Sequence, residues 1–127
     1  MEAALGKRSL KNFGTDYDTR DGTCIRDYVH VTDLARAHVM ALDYIAKNNK
    51  SLKLNLGTEK GTTVKEIIEA ARKITGKPIP AEEAPRREGD PASLYTTSKK
   101  AKELLDWEPK YSDVDTLVET TWKAYTK

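Results

Sequence analysis

Two arginines in this 127-residue chain sit beside residues that suit them to hold an anion. Arg26 lies in the run Asp21-Gly22-Thr23-Cys24-Ile25-Arg26-Asp27-Tyr28-Val29-His30-Val31, inside an otherwise apolar stretch where a solvated charge is unexpected. Arg87 lies in Ala84-Pro85-Arg86-Arg87-Glu88-Gly89-Asp90-Pro91. Each segment sets an arginine beside a turn-forming glycine and a carboxylate. A guanidinium is a planar set of donors matched to a phosphate, and a neighbouring carboxylate can accept hydrogen bonds from ribose hydroxyls. Anion binding is the chemistry these residues could do. The other reading of the same letters is surface ion pairs and turn residues.

Other chemistries find less support. The seven glycines form neither G-x-G-x-x-G nor G-x-x-x-x-G-K, so no self-contained phosphate cradle is present. His30 and His38 have no cysteine at ligand spacing, which disfavours zinc. There is no G-x-S-x-G, and Cys24, the only cysteine, has no evident base and no internal disulfide partner. Tyr95-Thr96-Thr97-Ser98-Lys99 matches Y-x-x-x-K, a pair that works when a helix puts i and i+4 on one face. Pro91 lies upstream and Ser98 reads as a helix cap, which leaves Tyr95 outside any helix.

The elements that must position these residues follow from periodicity. Val64, Ile67, Ile68, Ala71 and Ile74 form one apolar stripe of a helix that opens on the capping box Thr63-Val64-Lys65-Glu66 and stops at Gly76 before Pro78. A helix is expected over residues 33–47, capped by Thr32 and burying Leu34, His38, Ala41, Leu42 and Ile45. Two more are expected over 98–105 and 116–124, the last burying Leu117, Val118, Thr121 and Trp122. Strands are expected over 10–13, 25–31 and 52–56, where Leu52, Leu54 and Leu56 alternate with Lys53 and Asn55. Residues 77–95 hold four of the five prolines and read as a long functional loop. Cys24 and His30 read as structural, and Trp107 and Trp122 as core or interface. The class is α/β, of mixed α+β type, in one domain.

Composition narrows the partners. Lys+Arg 22 against Asp+Glu 20 gives a net charge of +2, spread without a basic block, which argues against nucleic acid or an anionic membrane. No apolar run approaches 18 residues, and the first eight residues lack the apolar stretch of a secretory leader, so the expected compartment is the cytoplasm. Leu, Ile, Val and Phe together make 24 of 127 residues, a folded but core-poor chain that is expected to bury part of its surface against something else.

Several segments, in order, resemble a known family. They are Phe13-Gly14-Thr15-Asp16-Tyr17-Asp18-Thr19, residues 22–31 with Asp33-Leu34-Ala35 and Ala37-His38, Asn55-Leu56-Gly57, residues 61–71 and 84–91, Ser98 with Lys100-Ala101, and Leu105-Asp106-Trp107. Together they resemble the C-terminal substrate domain of the UDP-glucose 4-epimerase family of extended short-chain dehydrogenases/reductases, over nearly the whole chain. The resemblance implies an enzyme that interconverts UDP-glucose and UDP-galactose, in galactose metabolism, by oxidation and reduction at C4 with tightly held NAD. It implies that Arg26 and Arg87 contact the diphosphate, Asp90 the ribose hydroxyls, and Phe13 with its neighbours Lys11 and Asn12 the uracil. Asn12 departs from the family, which carries an apolar residue there. Leu94 takes the place of the family's sugar-pocket gate, and its intermediate bulk leans toward unsubstituted hexoses. The family's NAD-binding Rossmann half, with its glycine-rich loop and catalytic tyrosine and lysine, has no counterpart in these residues. The expectation is therefore a chain that holds no catalytic residue, binds no NAD alone and is inactive alone, and that partners the Rossmann half or itself. The alternatives are a non-catalytic nucleotide-sugar-binding or interaction module, or a truncated remnant.

Overall fold

A computed structural model describes all residues 1–127. The elements run β1 (Leu10–Phe13), β2 (Ile25–Arg26), α1 (Val31–Asn48), β3 (Thr62–Thr63), α2 (Val64–Thr75), β4 (Ala81–Ala84), β5 (Ser93–Leu94), α3 (Lys99–Leu105) and α4 (Val114–Tyr125). The strands make two small sheets. β1 pairs with β4 in parallel, from Leu10 opposite Ala81 to Phe13 opposite Ala84. β2 lies between antiparallel β3 and parallel β5, which sets Arg26 opposite Thr62 on one side and Leu94 on the other.

α2 forms for the reasons its sequence offers. The Thr63 hydroxyl accepts from the Glu66 N–H, the Glu66 carboxylate accepts from the Thr63 N–H, and Gly76 closes the helix in the left-handed region at φ 63°. Its inward face, with Ala70 and Ala71, packs on Val118 of α4, Ile79 and Ala4, and Leu10 and Trp122 seal the edges. A second cluster joins Ala37 of α1 to Ala101, Leu105 and the fully buried Trp107. Both cores are alanine-rich and small. Only 19 of 127 residues are buried, so apolar area contributes less here than in a typical domain and polar contacts carry more of the organisation.

Several expectations are corrected. α1 begins at Val31, and its cap is His30, whose Nδ1 accepts from the Thr32 N–H. Its buried face holds Asp33 and Ala37, while Leu42 and Ile45 are exposed. A carboxylate has displaced leucine as the inward residue, which rotates the helix away from its apolar stripe. The strand expected over 25–31 stops at Arg26, because the Asp27 carboxylate takes the N–H groups of Thr58 and Thr96 that a longer ladder would have used. Residues 52–56 join no sheet; the three leucines turn toward the Trp107 cluster without a strand beside them, and the Lys53 carbonyl accepts from Lys100 Nζ at 3.2 Å. The stretch 77–95 is no plain loop, since it contributes β4 and β5. Thr121 is exposed on α4.

Asp33 deserves its burial. Its carboxylate accepts from the backbone N–H groups of Lys110 (3.0 Å) and Tyr111 (2.8 Å), from Ser112 Oγ (2.7 Å) and from Arg36 Nη1 (3.0 Å). The Asp33 carbonyl also accepts from Trp107 Nε1 at 2.9 Å. Burial pushes the carboxyl pKa up, but these hydrogen bonds outweigh it and hold the group below its ordinary value of 3.8. The stabilisation is therefore complete above pH 3.8 and is lost as pH falls through the lower folded-state pKa. Asp33→Asn turns an all-acceptor group toward four donors and is expected to cost about 3 kcal/mol in chemical denaturation. The variant should also lose the extra acid sensitivity that the wild type shows below that pH. A midpoint within error of wild type would remove Asp33 from this role.

Candidate functional site

A row of functional side chains begins where β1 and β4 end. Because the pair is parallel and in register, both strands deliver their next residues to the same edge. Gly14 donates its N–H to the Ala84 carbonyl at 2.8 Å, continuing the ladder one step. It then turns the chain at φ +87°, and a Cβ there would run into the Tyr17 ring. On the β4 side the chain passes through Pro85 to the paired arginines. The Arg87 guanidinium lies 3.8 Å above the Phe13 ring centre. Stacking uses the face of the guanidinium and leaves its edge N–H groups free to donate.

A turn then carries the chain inward, with the Asp90 N–H donating to the Arg87 carbonyl at 3.3 Å. Asp90 thereby reaches Arg26, which donates from Nη2 to its carboxylate and from Nη1 to the Ile25 carbonyl at 2.7 Å. The pair is partly buried. Burial works against the Arg26 charge, but the hydrogen bond and charge of Asp90, together with the neighbouring Cys24, outweigh it and move the Arg26 pKa up from its ordinary value. β5 then places Leu94 opposite Arg26, 61% exposed.

Phe13, Arg87, Asp90, Arg26 and Leu94 thus form one connected row, joined by a stack, a turn, an ion pair and a strand register. Lys11 is exposed and shares the strand parity of Phe13. Asn12 has the opposite parity and lines a separate cavity of about 340 Å³ with Lys65, Ile68 and Arg72, so its side chain stands apart from the row. Tyr95 sits outside α3, which begins at Lys99, so the Y-x-x-x-K letters share no helix face. Cys24 is buried, and His30 caps α1.

The sequence did not reveal two contacts here. One is the meeting of Arg26 with Asp90, 64 positions apart. The other is the different fate of the two adjacent arginines. Arg86 turns from Phe13 to Asp16, donating from Nε to Oδ1 (2.8 Å) and from Nη2 to the backbone carbonyl (2.5 Å), and lies 4.3 Å over the Tyr17 ring. The Arg86 hydrogen bond holds the Asp16 carboxyl below its ordinary value.

Chemically, the row offers two guanidinium groups, a carboxylate and an aromatic face on an accessible surface. Groups of these types are suited to an anionic ligand. The side chains of His30, Thr63 and Asp113 each accept one backbone N–H at the starts of α1, α2 and α4. No group of three histidine, cysteine or acidic side chains is arranged to hold a metal. No helix is long and apolar enough to cross a membrane.

Residues 1–121 match the GDP-mannose 4,6 dehydratase family, and the chain belongs to that family. Within it, the resemblance is to UDP-glucose 4-epimerases. The UDP-glucose 4-epimerase of Halalkalibacterium halodurans is 54% identical over 123 residues, which are 96% of this chain and 37% of that protein. A crystal structure of a UDP-glucose 4-epimerase superposes with a TM-score of 0.94 at 49% identity, covering 98% of this chain and 38% of its own. A Stenotrophomonas maltophila UDP-glucose 4-epimerase with bound NAD and formylated UDP-arabinopyranose gives 0.92 at 40% identity, covering 96% and 36%. The chain therefore spans less than two-fifths of the length of the relatives it matches. The fold is that of the C-terminal substrate domain of an extended short-chain dehydrogenase/reductase.

Gly14 should tolerate substitution less well than Gly76, although both have positive φ. Gly76 has nothing within 4 Å of an added Cβ, whereas Gly14 meets Tyr17 and Arg86. Gly76→Ala is expected to cost about 1 kcal/mol and Gly14→Ala about 3 kcal/mol, measured by denaturant unfolding. Equal costs would mean that the Gly14 turn is not held by the Tyr17 ring.

Proposed function

We propose that this chain is the nucleotide-holding portion of a UDP-glucose 4-epimerase, the part that anchors the UDP end of the substrate in galactose metabolism. One observation carries the proposal: the unbroken row from Phe13 through Arg87 and Asp90 to Arg26. It brings together the kinds of group a nucleoside diphosphate needs: an aromatic face for the base, guanidinium donors for the diphosphate and a carboxylate for ribose hydroxyls. On this reading Arg26 and Arg87 bind the diphosphate oxygens, Asp90 accepts from the ribose hydroxyls, and Phe13 with Lys11 packs on the uracil. Asn12 contributes through its backbone. Leu94 borders the space left for the hexose, and its size favours UDP-glucose and UDP-galactose over N-acetylated sugars. The relatives' names, and the UDP-sugar in one of their crystal structures, support this assignment.

The chemistry of the 4-epimerase reaction, a hydride exchange with NAD, needs groups that these residues do not supply. What this chain contributes is restraint. Fixed cationic donors hold the charged end of the substrate while leaving the reacting ring unconfined, which raises the local concentration of the correct geometry without binding the ring itself. The isolated chain is expected to bind UDP and to leave UDP-galactose unchanged, and the cytoplasm is its expected compartment.

A UDP titration followed by two-dimensional amide spectra tests the proposal. Shifts confined to the neighbourhoods of Phe13, Arg26, Arg87 and Asp90 are expected, with Kd about 0.1–10 mM because one wall of the site is missing. Arg87→Ala should abolish the response. A dispersed spectrum indifferent to UDP would refute the anchoring role and leave an interaction module.

The surface also points to a polypeptide partner. α1 exposes Val31 (73%), Val39 (60%), Leu42 (68%) and Ile45 (44%), and Ile45 lines a cleft with Leu52, Leu54 and Leu56, whose segment joins no sheet. An apolar helix face beside an open strand-like edge suits the docking of further chain, either the Rossmann half of the relatives or a second copy. Alone at tens of micromolar, the chain should sediment above its 14.2 kDa monomer mass, and Val39→Glu with Leu42→Glu should return it to monomer. A wild-type monomer under those conditions would contradict self-association.

A further inference from the structure

Consecutive arginines at a proposed anion site invite the assumption that both serve the ligand. The geometry separates them. Arg87 stacks on Phe13 and keeps its edges free, whereas Arg86 spends its edges on Asp16, Nε on the carboxylate and Nη2 on the backbone carbonyl. Its flat face is covered by Tyr17 at 4.3 Å. Tyr17 is itself buried, 7% exposed, and wedged against Gly14; its hydroxyl points at the Asp90 carbonyl at 3.4 Å. The turn after β1 is closed by the Tyr17 N–H donating to the Gly22 carbonyl at 2.9 Å. Arg86 therefore ties the loop after β1 to the chain after β4, just outside the last paired residues, where no ladder remains to do so.

We infer that Asp16, Tyr17 and Arg86 form a positioning buttress: they grip the backbone between Ala84 and Asp90 so that Arg87 is directed onto Phe13 and Asp90 toward Arg26. None of the three touches the nucleotide. Two contacts and one adjacency support this. Arg86 is two-pronged on one rigid turn, which fixes its own backbone direction. Arg87 follows directly and is constrained by that direction. Tyr17 reaches from the same turn to the far end of the segment at Asp90. The buttress specifies the shape of the clamp, and the proposal rests on the nucleotide-anchoring reading above.

The sign of one substitution distinguishes this from a simple charge effect. Asp16 is an exposed anion near a site that takes an anion, so if only Coulomb attraction mattered, Asp16→Asn would tighten UDP binding or leave it unchanged. If Asp16 acts by holding Arg86, Asp16→Asn weakens it. We expect a three- to tenfold weakening in Asp16→Asn and at least as much in Arg86→Ala. Arg86→Lys, which keeps the charge but cannot make both contacts, should not restore wild-type affinity.

A second readout needs no ligand. The Arg87 δ-methylene protons, held over the Phe13 ring, should resonate upfield of their random-coil position in the free chain. Asp16→Asn and Arg86→Ala should move them more than halfway back, while the amide signals of α2 stay in place and show that the fold is intact. Unchanged Arg87 signals in both variants would overturn the inference, as would tighter or unaltered UDP binding in Asp16→Asn. Should the wild type fail to bind UDP, the anchoring reading falls, and the Arg87 signal alone still decides whether the buttress exists. If Arg86→Ala does not fold, Asp16→Asn carries the test, since it alters only an exposed side chain.

Discussion

Three aspartates spaced six residues apart, Asp21, Asp27 and Asp33, organise this protein more than any hydrophobic cluster does. They lie before β2, just after it and in the first turn of α1, and each accepts hydrogen bonds from a different distant part of the chain. Asp21 takes the Thr23 N–H and hydroxyl on one oxygen and the Thr63 hydroxyl on the other, fixing the start of α2. Asp27 takes Thr58 and Thr96, and Asp33 takes residues 110–112. Carboxylates are acceptors with several lone pairs, so one side chain can satisfy several backbone N–H groups that no ladder serves. In a chain with alanine-rich cores, such charged acceptors replace part of what bulky apolar contacts would contribute, at the cost of stability at low pH.

The candidate site inherits its precision from that frame. Asp21 sets the turn before β2 and Asp27 the exit from it, so Arg26 is fixed between two anchored positions. The parallel register of β1 and β4 then brings Phe13 and Arg87 to the same edge, and the 87–90 turn closes the distance to Arg26. An ion pair between half-buried groups contributes little net stability once desolvation is counted. Its value is direction: Arg26 and Asp90 are held ready in the free chain, which lowers the ordering cost of whatever they bind.

The same economy explains the exposed face of α1. A helix that buries Asp33 and Ala37 cannot also bury Val39 and Leu42, which lie on its other side. Its apolar stripe is left for something outside this chain, beside a leucine-bearing segment that joins no sheet. The chain spans under two-fifths of its relatives' length, and the docking proposed above assigns this open face to further chain.

Local signals decided much of this protein from the sequence alone. The Thr63–Glu66 box, the Ile67-Ile68-Ala71-Ile74 stripe and Gly76 act within a few residues of one another, so α2 could be read directly. Strand β1 and the loop position of Tyr95 were legible for the same reason. Pairings across long separations were not. Whether residues 52–56 found a strand, whether 81–84 became one, and which face of α1 turned inward depended on partners tens of residues away. Asp33 shows why: periodicity assigns a charged residue to the solvent face, and only the arrival of Lys110, Tyr111, Ser112 and Arg36 makes its burial favourable. The division of labour between Arg86 and Arg87 has the same origin. Their letters are identical, and tertiary structure alone put Asp16 and Tyr17 beside one and Phe13 beneath the other, because a guanidinium takes its role from the groups that surround it.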